Sequence, residues 1–301
     1  MEKRERLLLL HRVLQGRRKL MRHILACDPQ LDNLLLASSQ ELRLHYHLSE
    51  TFAGKLFRAL QDAFHRYAIE QAVQNFHTVT CFDADYPAVL QAIPDAPLVL
   101  YAAGKLELLD QMPAVSVVGS RQPTHAAPGK IAYLLEPLAS AGWTIVSGMA
   151  KGIDSMAHHA ALRVHGSTIA VLGSGLHHIY PLSNKKLFDT MAESQLLISE
   201  YYPDQPPRKH HFPERNRIIS ALGFCTVVVE AKKQSGSMHT VMHALEQGRE
   251  VFAIPGDPLK AQTAGCHQMI SEGAGIIFEP GQLLEEWEQN KTNWAHYNSR
   301  N

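Results

Sequence analysis

Val115-Ser116-Val117-Val118-Gly119-Ser120-Arg121 sets the pattern for most of the chain: an apolar run of strand length reaches a glycine and passes at once to polar and cationic residues. Further apolar runs at Trp143 to Val146, Thr168 to Leu172, Leu196 to Ile198, Cys225 to Val229 and Val251 to Ile254 are separated by stretches of helical length. Strands alternating with helices in this way build a parallel sheet covered on both faces. Glycine-containing turns follow most of the runs: Ser147-Gly148-Met149, Gly173-Ser174-Gly175, Pro255-Gly256-Asp257 and, slightly later, Ser235-Gly236-Ser237. In a parallel sheet such turns share one edge, where glycine lets backbone approach a ligand and helix starts offer free N–H donors with partial positive charge. That edge suits phosphates. Any one of the turns is explained as well by a tight strand-to-helix connection; the set, with arginine and lysine beside several, favours an anion site.

Upstream, the chain to about Tyr67 is leucine-rich, poor in glycine and helical in period, with Leu7, Leu10, Val13 and Leu14 on one face and Leu31, Leu34 and Leu35 on another. It reads as a small all-helical domain over residues 1–77. Asp28-Pro29 and Ser49-Glu50 supply breaks, because proline restricts the residue before it and serine caps a helix start. Short extended pieces at Thr78 to Phe82 and Leu98 to Tyr101 lead into the α/β domain, expected over 78–288, with 289–301 as a short tail.

The 301 residues are 45% hydrophobic and 19% charged, with 29 Lys plus Arg balancing 29 Asp plus Glu. Zero net charge means that no global basic field points to nucleic acid, so any polyanion site is local. No apolar run approaches the roughly 20 residues that span a bilayer, and the N-terminus lacks the order of a signal peptide, which makes a cytoplasmic location the expectation. Cys27, Cys81, Cys225 and Cys266 are too dispersed for a disulfide framework or a CxxC site and are expected to be reduced.

Cofactor and catalytic signatures are missing. There is no GxGxxG, and Gly104-Lys105 and Gly129-Lys130 lack the Ser or Thr of a nucleotide-binding Walker loop. The histidine pairs at 158–159, 177–178 and 210–211 point apart and do not chelate together, and no HExxH or GxSxG occurs. No metal, cofactor or catalytic group is therefore expected. The segment Arg208-Lys209-His210-His211-Phe212-Pro213-Glu214-Arg215-Asn216-Arg217 carries a net charge of +3 around an aromatic ring. As a cationic loop it would hold single-stranded nucleic acid, phosphates on the cations and a base on the ring. The competing reading makes Phe212 a core plug and Arg215 and Arg217 internal ion-pair partners. A second basic stretch, Met1 to Arg22, has an excess of +6, either a phosphate-binding face or a solvated helix.

Val117 to Arg121, Ser147-Gly148-Met149-Ala150-Lys151-Gly152-Ile153-Asp154, Ala157-His158, Tyr180-Pro181 to Asn184, Phe212 to Ser220, Glu230, Ser235 to Thr240 and Pro255-Gly256 together resemble the DNA-processing protein A (DprA/Smf) family in order and spacing. The resemblance covers about Thr78 to Glu286. It implies an extended Rossmann-like parallel-sheet domain preceded by a helical domain similar to a sterile-alpha-motif or helix-hairpin-helix unit. It also implies a non-enzymatic protein that binds single-stranded DNA in natural transformation and loads the RecA recombinase, with a single-strand binding protein as a further partner. By motif, Gly119, Ser120 and Arg121 fall in the phosphate-binding turn, Lys209 and Phe212 match the DNA-contacting lysine and phenylalanine, and Arg215 and Arg217 belong to the RNR element. Lys151 joins this set. A lysine that the family often has within the Tyr-Pro turn is missing here, and Lys185 or Lys186 is expected to compensate. Departures include Ala126-Ala127 in place of a tyrosine-glycine pair, and Ser220-Ala221 in place of serine-glycine. Self-association is implied for Ala264 to Ile277, with His267 and Ile270 on one face of a helix expected over Gln262 to Glu272 and Ile276 just beyond it. The competing class is a nucleotide-processing protein similar to lysine-decarboxylase-like phosphoribohydrolases, whose PGGxGTxxE turn Glu230 and Ser235-Gly236-Ser237 partly match.

Overall fold

The computed structural model describes residues 1–299, with side chains placed through Trp294. The strands are β1 (His77–Thr80), β2 (Val99–Gly104), β3 (Ala114–Val118), β4 (Thr144–Ser147), β5 (Thr168–Val171), β6 (Leu196–Ser199), β7 (Cys225–Val228), β8 (Glu250–Ala253) and β9 (Gly275–Ile276). They form one sheet in the order β1-β2-β6-β5-β4-β3-β7-β8-β9. Pairings from β6 through β9 are parallel, and β1 and β2 add an antiparallel margin. The six apolar runs all become strands, because residues buried on both faces of a parallel sheet need no polar alternation. Every residue of β3, β4, β5, β6 and β7 is buried.

Six helices precede the sheet: Lys3–Leu14, Arg18–Cys27, Asn33–Leu36, Ser39–His45, Glu50–Gln61 and Ala63–Asn75. The two breaks read from sequence have physical causes. Ser49 Oγ accepts from Phe52 N at 3.3 Å, and the Asp28 carboxylate accepts from the backbone of Asp32 (3.1 Å) and Asn33 (2.9 Å) and from Tyr46 Oη (2.9 Å). This helical unit is not separate from the sheet. Leu7, Leu8, Leu9 and Leu10 are all buried, rather than lying on one face as the periodicity suggests, and they share a single apolar cluster with Val99, Tyr101, Ala170, Leu172, Leu197 and Tyr202 of the sheet side. The first helix is thus covered all round.

Charge reinforces the junction. Arg4 pairs with Asp83 (3.0 Å), Arg12 with Asp204 (2.9 Å), and both Arg18 (2.7 Å) and Arg22 (2.9 Å) with Asp95, while Arg6 pairs with Asp32 within the helical unit. Most of the N-terminal basic excess is consumed by these contacts. Each partly exposed pair contributes about 0.2–1 kcal/mol, so the shared apolar cluster does more to hold the junction together and the ion pairs fix its register.

The expected tail also differs. One helix runs Pro280–Ser299, across the boundary placed at 288, because Trp287 and Trp294 continue its apolar side. Trp294 packs edge-on against Phe224 (5.4 Å between centroids) and lies under the Arg249 guanidinium (3.8 Å). Cys27, Cys81, Cys225 and Cys266 are free thiols. No helix among the described residues is long and apolar enough to cross a membrane.

Candidate nucleic-acid interface

From β3 the chain steps through β4, β5 and β6 in one direction, and then returns to place β7 on the opposite side of β3. The reversal opens a crevice at the carboxyl ends of β3 and β7, the place where open α/β sheets bind ligands. Here it is a cleft of about 440 Å³, lined by Gly119, Ser120 and Arg121 after β3, Ala150 and Asp154 after β4, Phe212 to Asn216 except Glu214, and Lys232 to Thr240 in part. Three cations, Arg121, Arg215 and Lys232, face one carboxyl group, Asp154.

The helix His211–Leu222 carries most of this wall, so the segment read as a cationic loop is a loop only through His210. Its first turn presents Phe212, half-buried, with its ring edge where a Cβ on Gly173 would stand, 2.7 Å away. Any side chain at Gly173 would displace the ring. Tyr180 flanks it at 5.1 Å and the Arg121 guanidinium lies 5.7 Å from its centroid. Arg121 itself is exposed, and among the described residues it has no carboxylate partner.

Arg215 is buried, donating Nη1 to Gly148 O at 2.7 Å and to Val171 O, and Nε to Asn216 Oδ1 at 3.2 Å. A Cβ at Gly148 would fall 2.5 Å from its guanidinium, so glycine there is a packing requirement. Burial pushes the Arg215 guanidinium down to about 10, with the charge of Asp154 opposing, and it remains a cation at neutral pH. Burial likewise pushes the Asp154 carboxyl above its ordinary range, against the pull of Arg215 and of backbone bonds from Ala150 and Gly148. Arg215 therefore ties the turn after β4 to the end of β5, and only part of it reaches the cleft.

Arg217 corrects the expectation of a phosphate contact. Residues two apart on a helix point away from each other, so Arg217 leaves the cleft that Arg215 lines. Its buried side chain donates to Glu200 Oε1 at 2.5 Å and to Asp95 Oδ2 at 3.3 Å. Of the two readings of the RNR element, the internal ion pair holds for Arg217, and its acids come from the strand side and a loop.

The remaining residues are dispersed. Lys151 is exposed after β4 and Lys209 is exposed just ahead of the Phe212 helix, both outside the cleft lining. Lys185 is exposed and paired with Asp189 at 2.7 Å. Toward the β9 margin of the sheet, His267 Nε2 meets Gly256 O at 3.1 Å, Ile270 packs partly against the core, and Ile276 is 46% exposed on β9. The helix there is shorter than expected, Ala264–Ser271.

Lys232, Asn216, Asp154 and Tyr180 were not singled out from the sequence as site residues. Nor did the Ser235 turn receive named roles, although the glycine there was a signal. Ser235 and almost fully buried Thr240 border this part of the cleft at the start of the helix Ser237–Glu246, and their hydroxyl oxygens are buried with no hydrogen-bond partner among the described residues. A helix start bordering the cleft makes this a second corner where the helix dipole favours an anion. Glu230 is not available to the cleft. Although burial pushes its carboxyl up, bonds from Thr124 N and Oγ1 (both 2.7 Å) and Lys130 Nζ (3.0 Å) carry it below the ordinary range.

Fold and cleft together define a Rossmann-like protein whose cleft at the carboxyl ends of its strands carries an aromatic ring among cations. The family described as DNA recombination-mediator protein A matches residues 77–288. The "DNA processing protein DprA" of Bacillus subtilis is 42% identical over 213 residues, 71% of this chain and 72% of its own length. That of Streptococcus pneumoniae is 44% identical over 220 residues, 73% and 77% of the two. The X-ray structure of the pneumococcal protein superimposes with a TM-score of 0.81 at 34% identity, covering 92% of this chain and 96% of that one. A Helicobacter pylori DprA structure, described for its single-stranded DNA binding mode, gives 0.65 at 30% identity over 71% and 97%. The chain belongs to the DNA recombination-mediator protein A family, the DprA/Smf proteins.

Proposed function

We propose that the cleft holds single-stranded DNA, with phosphates at Gly119-Ser120-Arg121 and at the Ser235 to Thr240 corner and a base against Phe212. The observation that carries this reading is an unpaired, exposed arginine above a half-buried aromatic ring at a sheet edge supplied with helix-start donors. Lys209 and Lys151 flank the cleft as further phosphate contacts, and Lys185 adds one when released from Asp189. In this reading the protein is cytoplasmic and non-enzymatic, protects incoming strands, and loads RecA onto strands coated by a single-strand binding protein. RecA assembly on such coated DNA should be faster with the protein than without it, and equal rates would remove the loading role.

Arg121→Ala is expected to weaken oligonucleotide binding regardless of sequence, and to flatten the plot of log K against log salt by about 0.7, one released counterion's worth on a single strand. Unchanged affinity and slope would remove the cleft as the DNA site. The phosphoribohydrolase reading loses its glutamate, since the Glu230 carboxylate is occupied by Thr124 and Lys130. Release of free base from nucleoside monophosphates would restore it.

The reading includes a homodimer through Ala264 to Ile277, supported by Ile276 and Phe278, both about half exposed beside the short edge strand β9. Ile270→Glu with Ile276→Glu should give a folded monomer by light scattering and weaker binding of long oligonucleotides. An unchanged dimer would place the interface elsewhere, and global unfolding would make the two isoleucines core residues of one chain.

A further inference from the structure

We propose that the strand track continues from the sheet-edge cleft onto the N-terminal helical unit, where Arg17, Phe52, Lys55 and Arg208 form a second cationic, aromatic pocket for single-stranded nucleic acid. This rests on the reading of the cleft given above.

The N-terminal ion pairs leave part of the basic excess over. Arg4, Arg6, Arg12, Arg18 and Arg22 are held by carboxylates, and Lys3 lies over the Phe82 ring at 3.8 Å. Arg17 and Lys19 remain exposed, with no carboxylate partner among the described residues. Arg17 is the one that meets a ring, its guanidinium 4.8 Å from the centroid of half-buried Phe52. The two lie in a pocket of about 260 Å³ whose other polar walls include Lys55 and Arg208, both exposed, and which no acidic residue lines. A solvated helical face would not gather its unpaired cations around an aromatic ring. That combination is the one that holds successive phosphates while a base stacks.

Continuity with the first site follows from the chain. Arg208 is four residues before Phe212, so at the extended limit of about 3.3–3.6 Å per residue the two pockets lie within about 15 Å along the backbone. Their relative placement is fixed from beneath. Gln205 donates to Gln15 O at 3.4 Å, Gly16 lies against the Gln205 and Tyr201 side chains, and Tyr201 stacks on His211 at 3.9 Å, next to Phe212. Lys209 and His210 bridge the interval, both exposed.

The test is oligothymidylate binding by the full chain, over a series of lengths and salt concentrations. Arg17→Ala with Lys55→Ala removes two exposed cations that have no ion pair. It should weaken binding of long strands several-fold and lower their salt slope by about 1.4, leaving the shortest strands that bind unaffected. Lys19→Ala, an exposed cation outside the pocket, should change neither. Equal loss at all lengths, or none at any length, overturns the extended track. Arg121→Ala, measured in parallel, separates the two readings. If it weakens every length while the double variant changes nothing, only the extension fails. If it changes nothing, the cleft reading fails and the extension with it.

Discussion

Arg217→Ala should lower the stability of the protein by about 3–5 kcal/mol, the usual cost of leaving a buried charge without its partner. The buried carboxylate stranded is Glu200, whose Oε1 receives the guanidinium at 2.5 Å; Asp95 keeps Arg18 and Arg22. For a chain of this size that corresponds to a fall in melting temperature on the order of 10 °C. Oligonucleotide affinity of the folded fraction should stay at the wild-type value. Arg217→Met combined with Glu200→Gln should recover most of the loss, since the uncompensated charge is gone. Wild-type stability with weakened DNA binding would return Arg217 to the phosphate contacts.

Phe212→Ala has the opposite signature. It should cost about 1–3 kcal/mol of oligonucleotide binding with the salt slope nearly constant, because stacking releases no counterions. The ring is half-buried over Gly173 and beside Tyr180, so stability should fall much less than for a core phenylalanine. Leucine should rescue little, since it fills the space over Gly173 without a π-face. A large drop in melting temperature, with unimpaired binding by the folded fraction, would make the ring a core plug.

The contrast between Phe212 and Arg217, five residues apart, shows what the sequence conveyed. Strands came through well: β3, β5 and β7 begin within a residue of the apolar runs that mark them, because a strand buried on both faces cannot disguise its composition. The turns at the carboxyl ends of the strands were legible for the same reason, each being the abrupt end of such a run. For the RNR element the sequence left a cationic loop and internal ion pairs both open; once His211–Leu222 is helical, the two arginines must diverge. The N-terminal basic excess misled more deeply. Arg12 meets Asp204 and Arg22 meets Asp95, carboxylates 192 and 73 residues away. Local composition holds no information about pairs of that range, and only their removal from the tally exposes Arg17 and Lys19 as the exposed cations left without a carboxylate. The helix that starts at Pro280 runs past residue 288, and Trp294 has an apolar partner in Phe224 that local composition did not reveal.

The first helix has its five leucines, Leu7 to Leu10 and Leu14, enclosed between the helical unit and the sheet. The amides of Leu7 to Leu10 are therefore expected to exchange with the slowest in the molecule, through its global opening. A ligand that binds only the native state raises that opening energy everywhere at once, by about 2.7 kcal/mol at a hundred times its dissociation constant. Amides of Leu7 to Leu10, in residues that do not line the cleft, thus gain the same protection as those of the sheet core. A strand bound at the sheet edge, as proposed, would be registered in the N-terminal helix with no change of shape, through the shared energy of unfolding alone.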